Sequence, residues 1–284
     1  MDVLITGGAG TVGTAITDHL ADREAYDITS LDLEEHPDPN VESVVADARD
    51  TETLRSELEG MDALIHLAHV PMDDGGPSDQ EIAWSDAHGE NLRLHANAIG
   101  AAVDADVDSI VYASSNHAVG LYEVENAPEI YYPDSSVDLM VDHTVQPRPD
   151  SMYGSEKVYA EGLCRLAADA HDVRCYALRI CAVRDREYDH PYGDAERAVD
   201  NGDFERGSDA YETQVARLKC MWQSRRDHAQ MVDRCLQDDD VDYDVFYGVS
   251  ANDRRWFDID HAREVLGYEP QDDGDDERWA SRPS

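Results

Sequence analysis

Tyr153-Gly154-Ser155-Glu156-Lys157 sets a phenol and an ammonium four residues apart, which on a helix places both on one face. A free phenol, with a pKa of about 10, is a poor base at neutral pH. A cation one turn away stabilises the phenolate and pulls that value down. Any helix can carry such a pair by accident, but Lys157 and Lys219 are the only lysines among 23 lysine and arginine residues. A composition that has nearly eliminated lysine yet keeps one at 157 asks for a chemical reason there. Upstream, Ser114-Ser115-Asn116-His117 runs off an apolar strand. The Ser115 hydroxyl is a candidate partner for an oxygen held beside the tyrosine. Asn116 and His117 are candidate donors or acceptors for a polyhydroxylated ligand, although a histidine here also has an ordinary structural reading.

These groups need a frame. Short apolar runs at Val3–Thr6, Asp27–Leu31, Val41–Ala46, Ala63–Leu67, Ser109–Ala113 and Arg174–Ile180 read as strands. Helix-period segments lie between them at Thr11–Leu20, Thr51–Leu58, Glu90–Asp104 and Met152–Ala170. That alternation implies βαβ units, hence an α/β fold of Rossmann type with a doubly wound parallel sheet. Pro71–Asp79 and Glu123–Asp150 read as loops, and the polar stretch Arg184–Ala210 as a loop or lid. Beyond it the pattern predicts a helix over Gln214–Leu236, a strand over Tyr243–Val249 and a short helix over Ile259–Leu266 stopped by Gly267. The expected organisation is a nucleotide-binding domain over residues 1–180, a small substrate lobe interleaved with it over 181–270, and an acidic flexible tail over 271–284.

The first strand runs into Gly7-Gly8-Ala9-Gly10-Thr11-Val12-Gly13, which opens the first helix. Gly7 suits the tight turn, Gly10 lets a pyrophosphate approach the backbone, and Gly13 allows close helix packing. Orphan N–H groups of the helix start, at Thr11 and Val12, then face the phosphates. The glycine spacing alone is weak, but it sits in the strand–turn–helix context that gives it meaning. Asp32, ending the second strand 19 residues after Gly13, is placed for the adenosine ribose hydroxyls. A carboxylate there repels a 2′-phosphate, so the expected cofactor is NAD rather than NADP. Asp47 and Ala48 follow the third strand beside the adenine, and Leu67 and Ala68 end the fourth beside the nicotinamide ribose, which Lys157 can also hold.

Composition excludes other classes. A formal charge of −40 with 63 acidic residues is spread along a chain that is still 41% hydrophobic, so neither an acidic tail nor disorder accounts for it. A halophile-type surface does, because its self-repulsion is screened at molar salt. Nucleic acid and anionic membranes are poor partners for such a surface. The five cysteines form no C-x-x-C pair and read as reduced thiols. No residues show metal-ligand spacing, and no metal is expected. The strand beginning at Val3 leaves no room ahead of it for a secretory leader, and no apolar run reaches membrane-spanning length. A cytoplasmic location is expected.

Taken together, Thr6-Gly7-x-x-Gly10-x-x-Gly13, Ser115 and Tyr153-x-x-x-Lys157 resemble the extended short-chain dehydrogenase/reductase superfamily over nearly the whole chain. More narrowly, Ala113-Ser114-Ser115-Asn116-His117, Arg148-Pro149-x-x-x-Tyr153-Gly154-x-x-Lys157 and Ser250-Ala251-Asn252-Asp253 with Trp256 look like the branch that oxidises sugars at C1. That branch holds uronate dehydrogenases and the NAD-dependent glucose-6-phosphate dehydrogenases of halophilic archaea. The resemblance implies Tyr153 as base, Ser115 as its partner, Lys157 as ribose anchor and Asn91 as a structural or proton-relay member. It implies that Asn116, His117 and Arg217 contact the sugar, with Arg184 or Arg186 as further candidates for an anionic end. The expected substrate is a small sugar oxidised to its lactone: glucose 6-phosphate first, then a hexuronate, then a pentose such as arabinose. The sequence departs from uronate dehydrogenases at Ala68-His69-Val70-Pro71, where those enzymes carry a sugar-contacting serine. A sugar-nucleotide epimerase or dehydratase is the main rival, and a non-catalytic NAD sensor a second. A homodimer or higher homo-oligomer is the assembly the resemblance implies.

Overall fold

The computed structural model describes residues 1–70 and 89–280; the loop expected over Pro71–Asp79 lies outside them. Strands β1 (Asp2–Thr6), β2 (Asp27–Asp32), β3 (Glu42–Val45), β4 (Ala63–His66), β5 (Ser109–Ser115), β6 (Arg174–Ile180) and β7 (Tyr243–Gly248) form one sheet. Its order is β3-β2-β1-β4-β5-β6-β7, and every neighbouring pair is parallel. Every residue of β4 and β5 is buried, as continuous apolar runs require when helices cover both faces. On one face Ile16 and Leu20 of α1 (Thr11–Leu20) share a core with Met231, Val232 and Leu236 of α8 (Arg225–Gln237). On the other, Leu54 and Leu58 of α2 (Thr51–Leu58) and Leu94 and Ala98 of α3 (Gly89–Asp104) join Ala160, Cys164 and Ala167 of α5 (Met152–His171).

The order of strands decides where a ligand can sit. From β1 the chain winds out to β2 and β3, then returns to β4 on the other side of β1. The connections leaving β1 and β4 therefore diverge and open a crevice at the carboxyl ends of the strands. Two helices aimed at this crevice start differently. Ser151 caps α5, its Oγ accepting from Gly154 N at 3.1 Å, whereas α1 begins at Gly10 with no side-chain cap.

Four segments differ from the sequence reading, each for a tertiary reason. The helix expected over Gln214–Leu236 is two helices, α7 (Asp209–Met221) and α8, broken at Trp222. There the backbone turns extended and bridges Ala182, and Ser224 starts the new helix with its Oγ accepting from Asp227 N at 3.1 Å. The polar stretch Arg184–Ala210 contains a helix, α6 (Gly193–Asp200), whose Asp194 and Glu196 are buried. They are neutralised by Arg184 at 2.8 Å and Arg206 at 2.7 Å, partners that composition alone does not reveal. Within Glu123–Asp150, a short helix α4 (Leu121–Val124) enters the segment, and Val141 pairs with Phe257 over a core of Tyr131, Trp222 and Trp256. Finally, the acidic segment from Gln271 is tied down over its described part. Asp227 accepts from Gln271 N and Asp272 N at 2.8 and 3.0 Å, and Asp272 takes the Ser224 hydroxyl at 2.6 Å.

Ser224 thus caps α8 and anchors the C-terminal segment at once. Ser224→Ala is expected to cost about 1–2 kcal/mol, read as a lower denaturation midpoint in molar KCl; an unchanged midpoint contradicts this double role.

Candidate active site

The chain leaves β1 through Gly7, which has φ +77°; a Cβ there would lie 2.8 Å from the amide nitrogen of Ala68 at the end of β4. A Cβ on Gly13 would collide with the Gly8 backbone, so α1 can start directly against the turn only with glycine at 13. Gly10 is open by comparison, its would-be Cβ meeting only the Gly7 carbonyl at 3.4 Å. The uncapped N–H groups of α1 open beside it.

A cavity of about 330 Å³ lies here, walled in part by Gly7, Gly10, Asp32, Asp47, Ala48, Leu67 and Ala68. Asp32 stands at its edge, accepting from Ala9 N at 2.9 Å and Leu33 N at 2.7 Å. Asp47 is met by Arg49 Nη2 at 2.7 Å, and hydrogen bonds from Arg49 hold its carboxyl below the ordinary value. Arg49 also lines the cavity, which the sequence reading passed over despite the Asp47-x-Arg49 spacing that signals it. Its guanidinium is engaged by Asp47 and by Glu90 at 2.8 Å, so Asp32 meets no uncommitted guanidinium from it. Thr11 lines a neighbouring groove, its hydroxyl donating to Asp185 at 2.5 Å. Asn91 lines neither that cavity nor the next among the described residues. Its amide brackets Val70, accepting from the backbone N at 2.8 Å and donating to the carbonyl at 3.0 Å.

A second cavity of about 300 Å³ adjoins the first, sharing Leu67 and His69. It brings together Val12, Ser115, Asn116, His117, Tyr153 and Lys157 from three separate stretches of chain. A glycine turn, an uncapped helix start and a carboxylate on one side, with a tyrosine and lysine on the other, fit a dinucleotide laid across both cavities.

Lys157 is buried; its Nζ donates to Ala113 O at 2.8 Å and lies 5.2 Å from the Tyr153 and Tyr112 ring centroids. Burial lowers its pKa to about 8, against the upward pull of Glu156 and Glu161. The Tyr153 ring is met edge-on by His69 and His117, with centroids 4.9 and 5.7 Å away. His69 is a wall residue that the sequence marked only as a departure. Its Nδ1 is buried with no hydrogen-bond partner among the described residues, and burial, then the Lys157 charge, push its pKa down to about 4. Behind it His66 and His95 share a hydrogen bond of 2.9 Å, and the same causes keep His66 neutral, at about 3. Ser115 Oγ accepts from His117 N at 3.2 Å, and the buried Asn116 Nδ2 has no partner among the described residues. An unspent amide donor at a cavity wall is what a ligand oxygen would satisfy.

The arginines divide. Arg184 lines the Tyr153 cavity, held by Asp194. Arg217 does not line it; Glu123 takes its Nε at 2.5 Å and more than offsets the effect of burial on its charge. Arg186 reaches away to Asp18 and lines the groove at the start of α1.

Residues 3–193 match the family model described as NAD dependent epimerase/dehydratase family. The chain is 35% identical to the NAD-dependent glucose-6-phosphate dehydrogenase of Haloferax volcanii, over 99% of this chain and 97% of that protein. It is 30% identical to the L-arabinose 1-dehydrogenase (NAD(P)(+)) of the same organism, over 95% of this chain and 96% of that one. Among solved structures, a mutated uronate dehydrogenase superposes with a TM-score of 0.71 at 27% identity, covering 98% of this chain and 84% of that one.

Asp32→Ala is expected to weaken NAD binding about tenfold or more while leaving NADP binding equal or stronger, since both a ribose ligand and a repelling charge are lost. Titration of each cofactor by fluorescence decides this; an unchanged ratio places the ribose elsewhere.

Proposed function

The chain belongs to the NAD dependent epimerase/dehydratase family, and we propose on that premise that it oxidises a small sugar at its anomeric carbon to the lactone, with glucose 6-phosphate as the preferred substrate. The observation that carries this reading is the adjoining pair of cavities, which puts Ser115, Tyr153 and Lys157 beside the space a nicotinamide would fill. NAD is the cofactor, and when bound it supplies the hydride acceptor.

The protein's own groups do the rest. Tyr153 as phenolate takes the proton of the anomeric hydroxyl. Lys157, fixed by the Ala113 carbonyl, favours that phenolate electrostatically. Ser115 steadies the same oxygen, and Asn116 offers its unspent donor to a neighbouring one. Holding these groups ready avoids reorganisation at the moment of reaction. The room is small: about 300 Å³ suits a free sugar better than a nucleotide-linked one.

Glucose 6-phosphate is supported by the 35% identity to the Haloferax volcanii enzyme over essentially the full chain, and by Arg184 on the cavity wall. A neutral pentose is the second reading, favoured by the fact that Asp194 and Glu123 already engage the guanidinium groups of Arg184 and Arg217. In molar KCl with saturating NAD, kcat/KM for glucose 6-phosphate is expected to exceed that for L-arabinose and glucuronate by about tenfold or more. Arabinose ahead selects the second reading, and no turnover of any aldose removes both.

The pH profile carries a separate expectation. Lys157 is an ammonium below about 8 and a neutral amine above it, so the support for the phenolate disappears as pH rises through that value. The wild-type rate is expected to fall there. Lys157→Arg, which stays charged, should lose that limb even if its activity is lower; a limb that persists belongs to another group.

A further inference from the structure

The orientation of the cavity residue His117 is set by a carboxylate. Its Nδ1 lies 2.8 and 3.0 Å from the two oxygens of Asp150. That carboxylate also receives the Ser151 hydroxyl at 2.9 Å, and Ser151 in turn caps the helix that carries Tyr153. Two glycines make the arrangement sterically possible. A Cβ on Gly120 would collide with the Asp150 carboxylate, and one on Gly154 with the His117 carbonyl. Burial pushes the Asp150 carboxyl up, and the His117 hydrogen bond and charge, then Ser151, more than reverse this.

An ionised carboxylate only accepts, so it fixes the imidazole proton on Nδ1. In the neutral ring Nε2 is then a lone-pair acceptor. It makes no hydrogen bond to a described residue, and the side chain, 40% exposed, lines the Tyr153 cavity. Without the carboxylate the ring could turn over or carry its proton on either nitrogen, and half of those states present a donor where an acceptor stands now.

We propose that Asp150 is a positioning residue that keeps His117 Nε2 as the acceptor for a hydroxyl of the sugar held beside Tyr153. This rests on the sugar-oxidation reading above. It bears on specificity, because an acceptor at that point welcomes a hydroxyl and repels an ionised carboxylate oxygen. The titratable and charged groups around the ring are Asp150 ahead of α5, Tyr153 and Lys157 on α5, His69 across the tyrosine ring, and Arg184 on the same wall. Of these, Asp150 alone is hydrogen-bonded to the imidazole.

The test is steady-state kinetics with the aldose that wild-type enzyme turns over best, at saturating NAD. The variants are Asp150→Asn, His117→Ala, the two combined, and Gly120→Ala. Asp150→Asn is expected to raise the sugar KM about tenfold with kcat much less affected. The double variant should be no worse than His117→Ala alone. Gly120→Ala, which displaces the carboxylate without deleting it, should reproduce the KM effect and decides the matter if Asp150→Asn does not fold. Additive single effects, or an unchanged KM in Asp150→Asn, overturn the dyad while leaving the sugar-oxidation reading intact. Failure of the wild-type enzyme to oxidise any aldose overturns both.

Discussion

The site depends on one buried cation. Lys157 is 2% exposed, and its ammonium rests on the Ala113 carbonyl near the end of β5. Removing an ammonium from water costs on the order of several kcal/mol even after relaxation. The surroundings show how that cost is met. The nearby histidines are kept uncharged, and the carboxylates of Glu156 and Glu161 support the cation from the same helix. Glu161 is itself pinned by Arg179 at 2.9 Å and by the Ser114 hydroxyl at 2.6 Å, so the supporting charge is as well fixed as the one it supports. In a chain of net charge −40, positive charge is scarce, and here it is spent inside.

Parallel topology does the positioning. Ser114 and Ser115 are adjacent on β5 and so point to opposite faces. Ser114 reaches the Glu161–Arg179 network, and Ser115 lines the cavity. The same alternation lets one strand brace the lysine helix and furnish a ligand group. Because α5 begins at Ser151, its first turn delivers Tyr153 to the cavity mouth and its second sinks Lys157 into the sheet. The geometry of the candidate site is thus a by-product of strand ends and a helix cap.

Much of this was legible in the sequence where local rules govern. The glycine turn, the acidic residue ending β2 and the Tyr153–Lys157 spacing are short-range patterns with steric or electrostatic causes, and the strands were legible as apolar runs. What escaped depends on tertiary partners. Arg217, expected at the sugar, sits on Glu123, 94 residues distant. The polar run before α7 hides a helix because its Asp194 and Glu196 fold against Arg184 and Arg206 at the two ends of the same run, and the acidic C-terminal segment is held because Asp227 and Ser224 wait for it. In so acidic a chain, composition reads such carboxylates as solvated, and only the tertiary pairing separates the buried few from the rest. His69 and Asp150 escaped for a different reason, since neither belongs to a recognisable spacing.

The central claim is that Tyr153 removes a proton while hydride leaves the anomeric carbon of a sugar for NAD. Incubation with the best-used aldose deuterated at C1, followed by mass analysis of the reduced cofactor, tests it most directly when wild-type and Tyr153→Phe proteins are run side by side. The expected result is one deuterium in the reduced cofactor and a loss of about a hundredfold or more in rate for the variant, with NAD binding retained. Unlabelled reduced cofactor, or a Tyr153→Phe protein as fast as wild type, would contradict the account.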